Sequence, residues 1–153
     1  MTPKQITIHH SASSRDKTTV ANIDAWHKLR WVNFRSSLGY WVGYHYVITG
    51  DGKVTQTRRD NEIGAHCVPN NGKIGICLTG NFMIEEPSQA QLESMRTVVD
   101  NLSKTYNISS QNIKAHRELS KTDCPGDNLY KVLLQDKISW LRQLIEKLIN
   151  LWK

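Results

Sequence analysis

Long apolar runs are absent from this chain of 153 residues. No stretch approaches the roughly 18 consecutive apolar residues that would suggest a transmembrane helix. Residues 1–5 also lack the apolar core of a secretory signal. We therefore expect a chain that stays in the cytoplasm where it is made, one that is exported by another route, or one whose signal was removed before residue 1.

Cysteine is scarce, with only Cys67, Cys77 and Cys124 present. An odd count without a secretory signal argues against a disulfide framework, so metal binding or packing is the better expectation for each. A chain of this length buries roughly 68–70% of its unfolded surface and can form a core without cross-links. Cys77 lies within an apolar run and is predicted to pack, whereas Cys67 is not assigned to a metal.

The net charge of +6 and the sequence pI near 9.3 favour anionic partners. Nucleic acid, a membrane surface and an anionic cell-wall polymer all fit such a charge. No long Lys/Arg block and no nucleic-acid-binding motif is present. We therefore expect no nucleic acid partner.

Strands alternate with helices along a chain that has no internal repeat and no Gly/Ser-rich linker. A single α/β domain is therefore predicted. The first helix starts near a Thr cap, and the second starts at Ser88 with Gln91 completing a capping box. Alternation and turn signals predict strands at 5–10, 44–49, 53–57, 73–79 and 112–115, and periodicity predicts helices at 18–30, 88–105 and 136–151.

Two histidines and one cysteine form a candidate metal set. His9 lies at the C-terminal end of the first predicted strand, and His116 follows a later one. Cys124 comes seven intervening residues after His116, just before a Pro-Gly turn. Zinc accepts this combination of ligands, and three protein ligands leave a fourth position open for water, as in hydrolytic sites. The alternative is that both histidines are satisfied polar residues and the cysteine is a small buried side chain.

The other histidines near these elements are expected to have structural roles. Strand alternation sends the side chains of His9 and His10 to opposite faces, so only one of the two can be a ligand. His27 is expected at a helix surface or in packing. If Tyr44 faces the metal, alternation directs His45 into the interior.

Six segments occur in the order found in a known family. They are residues 7–12, 26–27, 43–46, 64–66, 74–81 and 115–126, which include Thr-Ile-His-His-Ser-Ala, Gly-Tyr-His-Tyr and Ile-Gly-Ile-Cys-Leu-Thr-Gly-Asn. Together they resemble the type 2 N-acetylmuramoyl-L-alanine amidases, which include phage amidase-type lysozymes and are related to the peptidoglycan recognition proteins. The resemblance covers residues 4 to about 130.

The resemblance implies a mixed β-sheet flanked by helices, with a zinc-bearing groove on one face. It implies hydrolysis of the amide between the lactyl group of N-acetylmuramic acid and L-alanine. By position, one zinc ion is bound by His9, His116 and Cys124. Tyr44 matches a catalytic tyrosine, and His66 matches a substrate-groove position.

One position departs from some relatives. The residue two before the cysteine is lysine in some phage members and threonine in other amidases, and here it is Thr122 with Lys121 beside it. Thr122 can donate one hydrogen bond to an oxyanion but cannot supply a lysine's charge. In the implied mechanism Tyr44 holds or deprotonates the attacking water, and His66 binds the peptide stem or the lactyl carbonyl.

The C-terminal segment suggests a second property. The predicted helix at 136–151 carries cationic side chains and places apolar residues on one face, namely Ile138, Leu141, Ile145, Leu148 and Trp152. Such a helix can lie on an anionic membrane, whereas the simpler alternative is that its apolar face packs on the sheet.

A monomeric phage endolysin is the expected biological role. It would accumulate in the host cytoplasm before lysis and then act on the bacterial cell wall. The alternatives are a bacterial wall-recycling amidase and a non-catalytic peptidoglycan-recognition module. Cys124 favours an enzyme, because a recognition module usually lacks the cysteine ligand.

Overall fold

The computed structural model describes residues 1–151, except for the side chains at 141, 143, 144, 147, 148 and 151 in the last helix. It contains one five-stranded mixed sheet and three α-helices, which confirms the predicted α/β class. The strands are β1 (Gln5–His10), β2 (Tyr46–Ile48), β3 (Val54–Gln56), β4 (Lys73–Leu78) and β5 (Ile113–Ala115). The helices are α1 (Val20–Arg30), α2 (Gln89–Tyr106) and α3 (Asp127–Leu151).

The sheet order is β3-β2-β4-β1-β5, and only the β2–β3 pair is antiparallel. The central strands β1 and β4 pair in register, with His9 opposite Cys77. Their Ile side chains are fully buried on the core face. Because side chains alternate across a strand, the intervening Thr7, His9, Gly75 and Cys77 share the other face.

Helices α2 and α3 close the core over the isoleucine face of the sheet. Met95, Val99, Leu129 and Leu133 join the same buried cluster as the strand isoleucines. The predicted capping box is present, because Ser88 accepts from the Gln91 amide and the Gln91 side chain accepts from the Ser88 amide. This cap satisfies amide groups that the first turn of α2 would otherwise leave without partners.

The strands β2 and β3 are shorter than predicted. The carbonyl of His45 accepts hydrogen bonds from the amides of both Thr57 and Arg58. Two residues facing one is the pairing of a β-bulge, which ends the regular ladder. Tyr44 and His45 therefore precede β2.

Helix α3 starts at Asp127 and not at 136 as the periodicity predicted. Gly126, at φ +89°, ends the preceding turn, and the helix then buries Leu129 and Leu133, which are four residues apart. Ile138, Ile145 and Ile149 are exposed. The side chains of Leu141 and Leu148, and all of Trp152 and Lys153, lie outside the described residues. Within 1–151, no helix has the length and apolarity needed to cross a membrane.

Candidate metal centre and groove

His9, His116 and Cys124 lie together, with one candidate ligand atom from each within 4.8 Å of the others. His9 is near the end of β1, and His116 begins a short 3-10 turn directly after β5. Strands β1 and β5 are parallel neighbours, so both histidines emerge at the same edge of the sheet. Carboxyl ends of parallel strands commonly form ligand sites in α/β proteins.

Cys124 returns to the histidines because the intervening loop is closed on itself. The amide of Arg117 donates to the carbonyl of Cys124 at 2.8 Å, and its guanidinium donates to the carbonyl of Asp123. The same guanidinium pairs with Asp127 at the start of α3. The predicted turn at Pro125 and Gly126 then leads the chain away from the sulfur.

His9, rather than His10, has its ring in this group. The His9 Nδ1 atom lies 3.6 Å from the Cys124 sulfur. The His10 ring instead accepts a hydrogen bond from the amide of Phe82 at 3.2 Å, and burial lowers its pKa to about 4. Strand alternation therefore separates the two neighbouring rings as predicted.

The three side chains fit a zinc ion chemically. Two imidazoles and a thiolate are a donor set that zinc prefers, and both imidazoles must be neutral to bind. Burial lowers the pKa of His9 and of His116, which keeps their lone pairs available. Burial raises the pKa of the Cys124 thiol to about 12, and the binding of a cation would release that proton.

A groove of about 750 Å³ opens beside the three side chains. The end of α1 forms one wall, and the loop that follows β5 forms another. A second cavity of about 840 Å³ lies between the start of α1 and the β2–β3 turn, but none of the predicted site residues line it. The residues that line the first groove include His27, Arg30, Trp31, Tyr44, His66 and Thr122.

Tyr44 lies against the metal group, with its ring centroid 5.2 Å from that of His9. Burial raises the pKa of its hydroxyl well above the usual value, and the neighbouring Cys77 and Cys124 add to the effect. Tyr44 therefore keeps its proton at neutral pH. As predicted, His45 is fully buried in the interior next to it.

Thr122 lines the groove, whereas Lys121 does not. The Thr122 hydroxyl oxygen accepts a hydrogen bond from the amide of Cys124 at 3.2 Å. Its own proton is therefore available to a group in the groove. Lys121 is exposed and lines a neighbouring depression with Arg117 and Ser120.

His66 also lines the groove, but its ring is largely enclosed, with 9% of the residue exposed. Its Nδ1 lies 3.1 Å from His9 Nε2, and its Nε2 lies 3.4 Å from the carbonyl of Lys73. Burial lowers the pKa of His66 to about 3. The predicted contact with substrate stays a prediction.

Asn70, which helps to shape this site, was not identified from the sequence. The Asn70 side chain accepts from the amides of His66 and Cys67 at 2.8 and 2.7 Å, which fixes the loop below the groove. His27 has the packing role that the sequence offered as one of two alternatives, because its ring accepts from the amide of Gly43 at 2.9 Å and so joins α1 to the segment carrying Tyr44.

The remaining predictions concern the other two cysteines, Cys67 and Cys77. Cys77 is fully buried, as its apolar surroundings predicted. Cys67 is also buried, and the Lys73 ammonium donates to its sulfur at 3.5 Å.

Comparison with known proteins agrees with this geometry. The family model described as N-acetylmuramoyl-L-alanine amidase matches residues 1–127, and the chain belongs to this family. Peptidoglycan-recognition protein SD of Drosophila melanogaster is 33% identical over 105 residues, which are 67% of this chain and 56% of that protein. The chain thus spans little more than half the length of this relative.

Two solved structures from Clostridium intestinale URNW have the same fold. The N-acetylmuramoyl-L-alanine amidase LysC superposes with a TM-score of 0.75 at 29% identity, covering 89% of this chain and 85% of that one. The endolysine N-acetylmuramoyl-L-alanine amidase LysCS gives the same score and identity, covering 89% and 84%.

Proposed function

We propose that this protein is a zinc-dependent N-acetylmuramoyl-L-alanine amidase. Its reaction would hydrolyse the amide between the lactyl group of N-acetylmuramic acid and L-alanine in peptidoglycan. The observation that carries the proposal is the convergence of His9, His116 and Cys124 in a groove that Tyr44 and Thr122 also line. Family membership supplies the bond that is cleaved.

His9, His116 and Cys124 would hold one zinc ion. When bound, zinc lowers the pKa of water towards about 7 and polarises a carbonyl group. Tyr44, whose ring lies against that of His9, would hold the attacking water through its hydroxyl or deprotonate it.

Thr122 would stabilise the negative charge that develops on the carbonyl oxygen. Its hydroxyl already accepts from the Cys124 amide, which orients it and leaves its proton to donate. A single preorganised donor of this kind contributes about 10²–10³ in rate in hydrolases. Lys121 lines only the adjoining depression, which shares Ser120 and Thr122 with the groove.

Purified sacculi test the proposal directly. The protein should release stem peptides with a free N-terminal L-alanine, identified by mass spectrometry, and leave the glycan strands intact. Exhaustive chelation should abolish release, and zinc should restore it. Cys124→Ser should bind no zinc and release nothing, whereas Cys77→Ala, altered outside the ligand set, should retain zinc. Full activity without zinc would refute the proposal.

A recognition module without catalysis is the second candidate, because the relatives include peptidoglycan-recognition proteins. Such a module would sediment with sacculi yet release no peptide at any zinc concentration. The Cys124 thiol beside both histidines favours the enzyme. The sacculus assay separates these two outcomes.

We propose further that the enzyme acts as a phage endolysin, accumulating as a monomer in the host cytoplasm before it reaches the wall. The likeness to an endolysine from Clostridium intestinale supports this role. An endolysin should cleave intact sacculi at least as fast as soluble muropeptides. A recycling amidase would prefer the soluble fragments, and light scattering in solution would test the monomer.

The end of α3 supports a proposed contact with anionic lipid. Ile145 and Ile149 are 47% and 51% exposed and lie four residues apart, on one side of the helix. The segment 138–153 contains Arg142, Lys147 and Lys153 against Glu146 alone. Exposed apolar side chains beside cations fit the interface of an anionic bilayer.

Part of α3 packs against the core, and the contact with lipid is proposed only for the end of the helix. Leu129 and Leu133 are buried, and Trp140 packs against the core. Replacing Ile145 and Ile149 together by Asn should abolish sedimentation with phosphatidylglycerol vesicles and leave sacculus digestion unchanged. Ile84→Asn removes an exposed isoleucine from the loop before α2, away from the end of α3, and as the control should still sediment.

A further inference from the structure

The His66 ring lies in a slot that only glycine neighbours allow. A Cβ atom at Gly75 would lie 2.6–2.8 Å from three atoms of this ring, and a Cβ at Gly64 would lie 2.6 Å from its Cδ2. These separations are below van der Waals contact, so any larger residue would displace the ring. The glycines on β4 and in the loop therefore fix where His66 can be.

The walls of this slot are themselves held by hydrogen bonds. The amide of Gly75 donates to His45 Nδ1 at 3.0 Å, and His45 Nε2 lies 2.9 Å from the carbonyl of Glu62. On the other side, the Asn70 side chain accepts from the His66 amide. These bonds hold the backbone at Gly75 on one side of the ring and at His66 itself on the other.

The contacts of His66 determine which of its nitrogens carries the proton. A carbonyl can only accept, so the nitrogen facing the Lys73 carbonyl, Nε2, is the donor. In a neutral ring Nδ1 is then the acceptor, and its partner at 3.1 Å is His9 Nε2. His9 Nε2 must therefore carry the proton of His9, which leaves the lone pair on His9 Nδ1.

His9 Nδ1 is the atom that faces the Cys124 sulfur, at 3.6 Å. We propose that His66 is a positioning residue for His9: by accepting from His9 Nε2, it fixes the His9 tautomer and ring orientation that present Nδ1 to the metal. A series of hydrogen bonds thus runs from the Lys73 carbonyl through His66 to His9, which is one of the proposed ligands. This inference rests on the proposed zinc site.

An Asn and Gln pair at position 66 separates this role from a general structural one. The Asn oxygen falls at the place of His66 Nδ1 and can still accept from His9, whereas the Gln amide extends to the place of Nε2 and cannot. Loss of the partner of a metal-bound histidine typically weakens metal affinity about 10–100-fold. His66→Gln should show this loss in a competition titration with a chromophoric zinc chelator.

His66→Asn should retain zinc affinity close to that of the unaltered protein. Equal affinity of both variants and the unaltered protein would overturn the inference. A His66→Gln variant that binds zinc normally but shows a raised KM for muropeptide would instead make His66 a substrate contact. If the unaltered protein itself binds no zinc, both this inference and the proposed function are wrong.

Nitrogen-15 NMR of the histidine rings tests the arrangement without any substitution. His9 and His66 should each carry their proton on Nε2. The His9 Nε2 proton should exchange slowly with solvent, because it is donated to His66. In the zinc-loaded protein the His9 Nδ1 resonance should shift while the Nε2 proton stays. A proton on His66 Nδ1 would overturn the inference, even if zinc binding and wall digestion are both observed.

Discussion

The backbone amide of His10 donates a hydrogen bond to the sulfur of Cys124, 3.4 Å away, across 114 positions of sequence. The next residue back, His9, brings its ring to the same sulfur. Strand β1 thus supplies a side chain from one residue and a main-chain donor from the next. A donor to sulfur favours the thiolate form, which is the form that binds metal.

Tyr44→Phe should lower kcat for wall hydrolysis about 10²-fold, the scale expected for a positioned proton-handling group. Zinc content should not change, because the hydroxyl is not in the ligand set. The matched control is Tyr46→Phe, which loses a hydrogen bond to Asp60 away from the groove. That variant should be less stable by about 1 kcal/mol and keep its turnover. Equal loss of kcat in both variants would contradict the role assigned to Tyr44.

Thr122→Val should lower kcat about 10²–10³-fold, because it removes the hydroxyl proton that would face the developing oxyanion. Thr122→Ser keeps a hydroxyl that can both accept from Cys124 and donate to substrate, so it should retain most of the activity. Steady-state kinetics on sacculi, with zinc content measured for each variant, distinguish lost catalysis from a displaced Cys124. Turnover by the Val variant at the unaltered rate would remove Thr122 from the mechanism.

Gly75→Ala should destabilise the protein by about 1–3 kcal/mol, because the new methyl group meets the His66 ring. In a His66→Asn background the same substitution should cost less, since the Asn side chain is smaller. Urea denaturation of the four proteins in this cycle measures the coupling between the two sites. Additive effects would show that the Gly75 methyl clashes with something other than His66.

Acidification should destabilise the metal-free protein partly through His27. Burial lowers the pKa of His27 to about 4, with a smaller contribution from Arg30. In the unfolded chain His27 takes up a proton below about pH 6.5, whereas in the folded protein it does so only near pH 4. The free energy of unfolding therefore decreases as the pH is lowered from about 6.5 to about 4.

His27→Asn can still accept from the amide of Gly43 but does not titrate. With a chelator present to keep both proteins metal-free, the free energy of unfolding of the His27→Asn variant should decrease less between pH 7 and pH 5 than that of the unaltered protein. Denaturation at the two pH values measures the difference. An identical loss would mean that His27 is protonated without penalty in the folded state.

Much of the fold could be predicted from local pattern. Strand β1 has the predicted bounds because a short run of β-branched residues ends at two histidines. The capping box at Ser88 was visible because it depends on residues three apart. The early start of α3 was not visible, because the apolar spacing of Leu129 and Leu133 is short and follows a Pro-Gly turn.

The candidate ligands were identifiable because their residue types already limit the chemistry. The partner of His66 was not, because His9 lies 57 positions earlier and the contact depends on the path of a loop. The distinction between Thr122 and Lys121 likewise required the direction of adjacent side chains in an irregular segment. An irregular segment has no helical or strand periodicity, so its sequence does not predict which way each side chain points.

The distance along the chain between His9 and Cys124 has a consequence for assembly. These two residues are 115 positions apart, so an ion held by both closes nearly the whole domain into one loop. An ion bound by both residues would restrict the unfolded ensemble as a long cross-link does, and the stabilisation from such a link grows with the length of the loop that it closes. The proposed zinc site can be completed only after Cys124, in the loop beyond β5, has been synthesised, so a chain that ends before Cys124 would lack one of the three proposed ligands.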